Sequence, residues 1–256
     1  MGNPLLGYWE GSGLQRGDVV LLHSSMLRTF TFLKIQKVKP SPRLVIDSII
    51  DQIGSEGTIL FPLFNFDFPE TKYFSMLTTP SQMGAITEFA RLNYDGFRTG
   101  HPIYSFYVIG SDSAEFKKIN NRSGYGPDSP FAKLLEMNGK IASVDLDDQN
   151  SMTMYHFVEE KLSVDYRYFK TFYGNYENEK GIVSSENYLL FVRDLEKGVL
   201  TDVNRMGEIL WREGLYLGNR PGVGNGMRVI KAENLVSRTS KEIISGRAIQ
   251  TLYSIS

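Results

Sequence analysis

Three histidines are the only imidazole bases in this chain of 256 residues: His23, His101 and His156. There is no cysteine, which removes thiol nucleophiles, zinc–thiolate sites and disulfides. Each histidine stands beside small polar residues, at a strand–loop junction or on the helix just after one. Only His156 has a partner at helical spacing. Glu159 follows at i+3, so both side chains project from one helix face. A neutral imidazole held by a carboxylate is a ready general base near neutral pH. The pair follows a strand containing Ile141, Val144 and Leu146 and a polar loop from Asp147 to Ser151. Open α/β sheets place their chemistry at such strand ends. His156 is expected to be the catalytic base, with Glu159 orienting it.

Asp145, Asp147 and Asp148 cluster just before that helix. Two readings are open: a solvated loop, or capture of a cationic substrate such as an amine. The second makes these three residues, with Asp67 and His101, the candidate substrate contacts. Asp67 lies in the aromatic stretch Leu63–Thr79, whose rings could stack on sugar faces. No His or Asp pair has a recognised metal-ligand spacing, so no metal is expected. The glycine-rich run Pro221–Gly226 is neither a Rossmann nor a Walker motif and reads as a turn between strands.

The elements that must position these residues follow from pattern. Asp18–His23 and Gly57–Pro62 are apolar runs expected as buried strands. Ser41-Pro42 should open a helix, with Ser as N-cap and Pro in the first turn. Val45, Ile46, Ile49, Ile50 and Ile53 give it an apolar stripe, and Gly54 ends it. Ser129-Pro130 repeats the device before Phe131–Met137. Arg28–Lys39 and Leu63–Thr79 are expected as loops. Ile103–Gly110 is expected as a strand, and Val164–Gly174 and Gly181–Asp194 as antiparallel strands. Asp202–Trp211 and Ala232–Tyr253 are expected helices. The alternation of short elements predicts an α/β chain: an αβα layered sandwich with a central mixed sheet and additional antiparallel strands in the C-terminal half. No linker or repeat divides residues 1–256, so one domain is expected.

Composition narrows the function. The formal net charge is −1, so no basic excess exists to hold a nucleic acid. No stretch of about 18 apolar residues occurs, so no membrane span is expected. The N-terminus carries Glu10 and several glycines and does not read as a signal peptide. With the missing cysteines, this leads us to expect a cytoplasmic protein.

An ordered set of short motifs resembles the aminoglycoside 3-N-acetyltransferase family, which is distinct in fold from the GNAT acetyltransferases. The set begins with Gly17-Asp18, His23-Ser24-Ser25, Gly57–Pro62 and Thr79–Ala85. It continues with His101-Pro102 and Ser105, Tyr125–Pro130 with Phe131-Ala132, and Gly139-Lys140, and closes on His156 with Glu159. The resemblance implies acetyl-CoA as co-substrate, an amino sugar as acceptor and His156 as base. It makes His23, Ser24, Ser25, Tyr125, Gly126 and Ser129 candidates for the coenzyme side; Arg28, as a nearby cation, is a candidate for the coenzyme's phosphates, and Ser151 and Thr153 for donors to the thioester oxyanion. One stretch departs from the family pattern. Where the family has a Gly-Val-Gly loop before Asp-Ser-Asn-Thr, this chain has Asp147 to Thr153, with Asn150 at the usual Asp. That departure bears on the acceptor, which could be an aminoglycoside or a nucleotide-linked amino sugar of surface polysaccharide synthesis. A homodimer is an admitted assembly. The rival readings are a non-catalytic carbohydrate- or nucleotide-binding protein and a serine hydrolase using Ser24 or Ser151. No Gly-x-Ser-x-Gly elbow supports the latter.

Overall fold

The computed structural model describes residues 3–256. Met1 and Gly2, where the segment judged not to be a signal peptide begins, lie outside them. Val19–Ser24 is buried at its first five positions and forms the centre of a seven-stranded sheet. The strand order is Leu217–Gly218, Met227–Lys231, Lys140–Val144, Val19–Ser24, Thr58–Pro62, Phe106–Gly110, Phe97–Arg98. The three central strands run parallel, and the outer four pair antiparallel. The sheet is therefore mixed, as the sequence pattern predicted.

Alternate side chains feed two cores. Val19, Leu21, Leu60, Val108 and Ile141 face one side; Val20, Leu22, Ile59, Ile109 and Ala142 face the other. The helices Pro42–Ile53 and Ala85–Asn93 cover the second face through Val45, Ile46, Ile49, Ile53, Ile86 and Ala90. Pro130–Glu136, Met154–Lys161 and Ala232–Ile244 cover the first. This double cover is why the central strands read as continuous apolar runs.

Two further sheets lie outside this sandwich. A long hairpin, Arg167–Glu177 with Val183–Arg193, is extended by Tyr73–Ser75 in parallel. Val199–Thr201 pairs antiparallel with Tyr253–Ile255.

The cap devices form as expected. Ser41 and Ser129 accept from the backbone N–H groups of Arg43 and Ala132. Arg28–Lys39 is not a loop: Leu27–Ile35 is helical. Its Thr29 and Leu33 are buried four residues apart, and Phe30 and Phe32 pack on the second core. Only part of that face is apolar, so its helical period was masked. Leu63–Thr79 contains a short helix, Phe68–Thr71, and the strand Tyr73–Ser75, which exists only because Arg167–Glu177 offers it an edge. The last helix stops at Ile244; Gly246 breaks it before Ala248–Thr251.

Two glycines separate backbone strain from crowding. Gly246 has φ +74° with open space where a Cβ would stand. Gly110 has φ +110° and pairs with Thr58, and a Cβ there would collide with the Gly57 carbonyl. Gly246→Ala should cost about 1–2 kcal/mol, the left-handed strain alone. Gly110→Ala should cost clearly more, read as urea midpoints at constant m-value. Equal losses would mean that the sheet edge yields.

Candidate functional site

The parallel strands bring the site together. Val19–Ser24, Thr58–Pro62 and Lys140–Val144 end on the same sheet edge, so the loops after residues 24, 62 and 144 converge there. Met227 pairs with Val144 and Phe106 with Pro62, which adds the segments before 227 and 106 to that edge. This is where an α/β sheet places ligands.

His156 lies near the start of the helix Met154–Lys161, and its side chain is 20% exposed. Its Nδ1 is 2.8 Å from Glu159 Oε2. Arg167 Nε lies 2.8 Å from the same oxygen, and Arg167 Nη1 donates to the Phe191 carbonyl at 3.1 Å. Burial pushes Glu159 upward, but Arg167 and His156 outweigh it and hold the carboxylate below its ordinary pKa. With Glu159 ionised, Nδ1–H donates to it, which leaves the Nε2 lone pair free. Burial lowers the His156 pKa, Arg167 lowers it further, and Glu159 opposes both. The imidazole is thus neutral at neutral pH.

The His156 ring borders two cavities. One, of about 130 Å³, is lined by Phe64, Met83, Ser151, Met152 and Thr153 among others. The other, of about 310 Å³, is lined by Tyr125, Arg167, Tyr168, Lys170, Phe172 and Arg193 among others. Tyr104 and Thr201 border both. The aromatic stretch and the 147–153 loop do share a wall, through Phe64, Phe66 and Asp148. Asp67 and Asp145 line neither cavity.

The acidic cluster is already occupied. Asp148 is buried; its Oδ2 accepts from Tyr155 Oη at 2.5 Å and Tyr216 Oη at 2.7 Å, and its Oδ1 meets Arg228 Nη2 at 3.0 Å. Arg228, itself 1% exposed, also donates to the Leu146 carbonyl and to Ser151 Oγ. Asp147 accepts from Asn150 N–H at 3.0 Å and from the Asn204 amide at 3.0 Å. Asp145 binds Arg28 at 2.6 Å and the Gly222 N–H at 3.0 Å. Asp67 accepts from Gln82 at 2.9 Å. Each of these carboxylates thus ties a loop in place, while the buried Asp145 Oδ2 has no hydrogen-bond partner among the described residues.

Other candidates are also placed by their partners. His101 is fully buried; its Nδ1 accepts from the backbone N–H groups of Ile103 and Tyr104. Burial lowers its pKa to about 3, so it is a neutral turn anchor and touches neither cavity. His23 is lowered to about 3 by burial and by Arg228, and also lines neither. Ser24, Ser25 and Arg28 sit at the same edge, but Arg28 is committed to Asp145 and the Gly224 carbonyl. Ser151 Oγ donates to the Asp147 carbonyl at 2.7 Å. Of the expected coenzyme contacts, Tyr125, Ser151 and Thr153 border cavities at His156. Tyr125 and Gly126 also line a separate cavity of about 550 Å³. Ser129 is buried as a cap.

Arg167, Arg228, Tyr104, Tyr155 and Tyr216 were not singled out from sequence. Arg228 left a signal, a cation between apolar neighbours in the strand Met227–Lys231. Arg167 left none. Among the described residues, no three His, Asp or Glu side chains are grouped to hold a metal ion, and no helix is long and apolar enough to cross a membrane.

Arg228→Met should cost about 3–5 kcal/mol, because Asp148 would stay buried without its counter-charge. The double variant Asp148→Leu/Arg228→Met should recover part of that loss. A double variant as unstable as the sum of its singles, in urea melts, would show that the pair is not coupled.

Comparison with known proteins agrees with this architecture. A solved structure described as AAC-IIIb binary with CoASH has a TM-score of 0.73 at 18% identity, covering 91% of this chain and 92% of its own. The YokD protein of Bacillus subtilis strain 168, described as a prophage-derived aminoglycoside N(3')-acetyltransferase-like protein, is 27% identical over 59% of this chain and 61% of its own length. Aminoglycoside N(3)-acetyltransferase VII of Streptomyces paromomycinus is 26% identical over 57% of this chain and 56% of its own length. The matched region thus spans about three fifths of these relatives. The profile of the aminoglycoside 3-N-acetyltransferase family matches residues 21–243. With that span, the chain belongs to the aminoglycoside 3-N-acetyltransferase family.

Proposed function

We propose that this protein transfers an acetyl group from acetyl-CoA to the amine of an amino sugar, with His156 as general base and Glu159 holding it. One observation carries the reading: an imidazole anchored at Nδ1 by a buried carboxylate and bordering two cavities. Two cavities suit two substrates meeting at one base. The relative bound to CoASH and the acetyltransferase names of the sequence relatives support the donor.

A sugar ammonium first releases one proton to solvent, and Nε2 of His156 accepts the second as the amine nitrogen attacks the thioester carbonyl. The new C–N bond forms, the C–S bond breaks, and the imidazolium returns the proton to the departing sulfur. Without cysteine no thioester enzyme intermediate can form, so direct transfer is favoured. Thr153, whose side chain caps no helix N–H, borders the smaller cavity and is our candidate donor to the carbonyl oxygen. Because both cores pack on one sheet, we also infer that residues 1–256 act as a single acetyltransferase-like domain. A serine hydrolase is disfavoured: Ser151 is bonded to a carbonyl and Ser24 lines neither cavity.

His156→Ala and His156→Asn should lower kcat by about 10²–10⁴-fold, with little change in acetyl-CoA affinity. Raising the pH should recover part of the loss, since more acceptor amine is then unprotonated. The acid limb of the wild-type rate should lie below pH 6.5, because the base acts neutral and its pKa is lowered. Glu159→Gln removes the group that raises that pKa, so the limb should move to still lower pH while the rate falls. A limb that stays in place would sever Glu159 from the base. Acetyl-CoA at 100 times its Kd should stabilise the fold by about 2.7 kcal/mol. No shift in melting temperature under saturating acetyl-CoA would remove the donor from this reading.

A further inference from the structure

Three buried polar side chains stand in a row across the central sheet. The register sets His23 beside Ser143 and Ser143 beside Arg228. Alternation along each strand puts all three on the face that carries Leu21, Ile141 and Ile230. Their exposures are 5%, 0% and 1%. Each has a buried polar atom that no other protein group satisfies among the described residues: His23 Nε2, Ser143 Oγ and Arg228 Nε. Folded proteins leave few such atoms unpaired, because each keeps its full desolvation cost. Three of them in adjacent register positions mark a common ligand.

The chemistry of the row selects that ligand. Both Nη groups of Arg228 are bonded, to the Leu146 carbonyl, Asp148 and Ser151, and its charge is neutralised by Asp148. Burial, and then Arg228, lower the His23 pKa to about 3, so its ring is neutral. The row therefore carries no net charge with which to hold a free ion. It offers a donor at Arg228 Nε, a donor and acceptor at Ser143 Oγ and an acceptor at a neutral His23 Nε2. Ser143 is the shortest of the three and stands between the two long side chains. A ligand that donates and accepts at once within a sheet interior is water, and buried waters make about three hydrogen bonds to such groups.

We propose that His23, Ser143 and Arg228 hold one structural water, and that His23 acts through it as a positioning residue for the site. The water accepts from Arg228 Nε–H and Ser143 Oγ–H and donates to His23 Nε2, which places the His23 proton on Nδ1. It completes the bonds that aim the Arg228 guanidinium at Leu146, Asp148 and Ser151. Asp148 in turn holds the hydroxyl of Tyr155, the residue before His156. The central strand Val19–Ser24 is thereby tied to the helix that carries His156. The proposal goes beyond the acetyltransferase reading and does not depend on it.

Two measurements on the whole chain test it. A crystal structure at a resolution that shows ordered water should contain one density peak within hydrogen-bond distance of all three atoms. Nitrogen-edited NMR should show His23 protonated at Nδ1, and should follow the His156 Nδ1–H resonance, which reports the bond to Glu159. His23→Leu should shift that resonance, and His23→Gln, whose amide oxygen can accept from the water, should return it toward its wild-type position. Ser143→Ala removes one partner with little change in volume and should shift it in the same direction by less. That variant and His23→Gln carry the test if His23→Leu does not fold. A merely structural role would lower the urea midpoint of the variants and leave the His156 resonance where it was. That result overturns the proposal. Direct bonds among His23, Ser143 and Arg228 with no water density between them also overturn it.

Discussion

The Asp148–Arg228 pair is the constraint on which the site depends. Both groups are buried, at 5% and 1% exposure, and neither could stay charged there alone. Arg228 reaches from a strand of the sheet to the loop after its neighbour, binding Leu146, Asp148 and Ser151. Burial raises the Asp148 pKa, while Arg228 and the hydroxyls of Tyr155 and Tyr216 pull it back. Tyr155 immediately precedes His156. The ion pair therefore fixes the entry of the helix that carries His156, and with it the direction of the imidazole.

A second charged group of the same kind lies one helical turn on. Glu159, almost fully buried, binds His156 on one side and Arg167 on the other. Arg167 comes from the outer hairpin, so this contact couples the sandwich to the added sheet. The hairpin then supplies the wall of the larger cavity. The two layers meet at one side chain: the sheet edge holds His156, and the hairpin walls the larger cavity beside it.

The acidic loop illustrates why residue type is a poor guide to role when charge is counted without partners. Three aspartates in four positions suggest a cation site. In the fold each is bonded by a different element: a helix arginine, an amide pair and a strand arginine. These bonds tie the loop after Lys140–Val144 to Arg28, Asn204 and Arg228.

The amino-acid sequence determined the alternating α/β pattern, the caps at Ser41 and Ser129, the buried central strands and the His156–Glu159 spacing, because each depends on local period or on residues within one turn. It carried family membership through the order of its motifs. Tertiary structure decided the rest. Whether Asp145, Asp147 and Asp148 stay free depends on Arg28, Asn204 and Arg228, which lie between 57 and 117 positions away. His101 and His156 both stand beside small polar residues, yet one accepts two backbone N–H groups in the core and the other borders two cavities. Arg167 and Arg193 become neighbours only when a hairpin sets its register. Partnership across such distances is fixed by packing, and no local pattern encodes it.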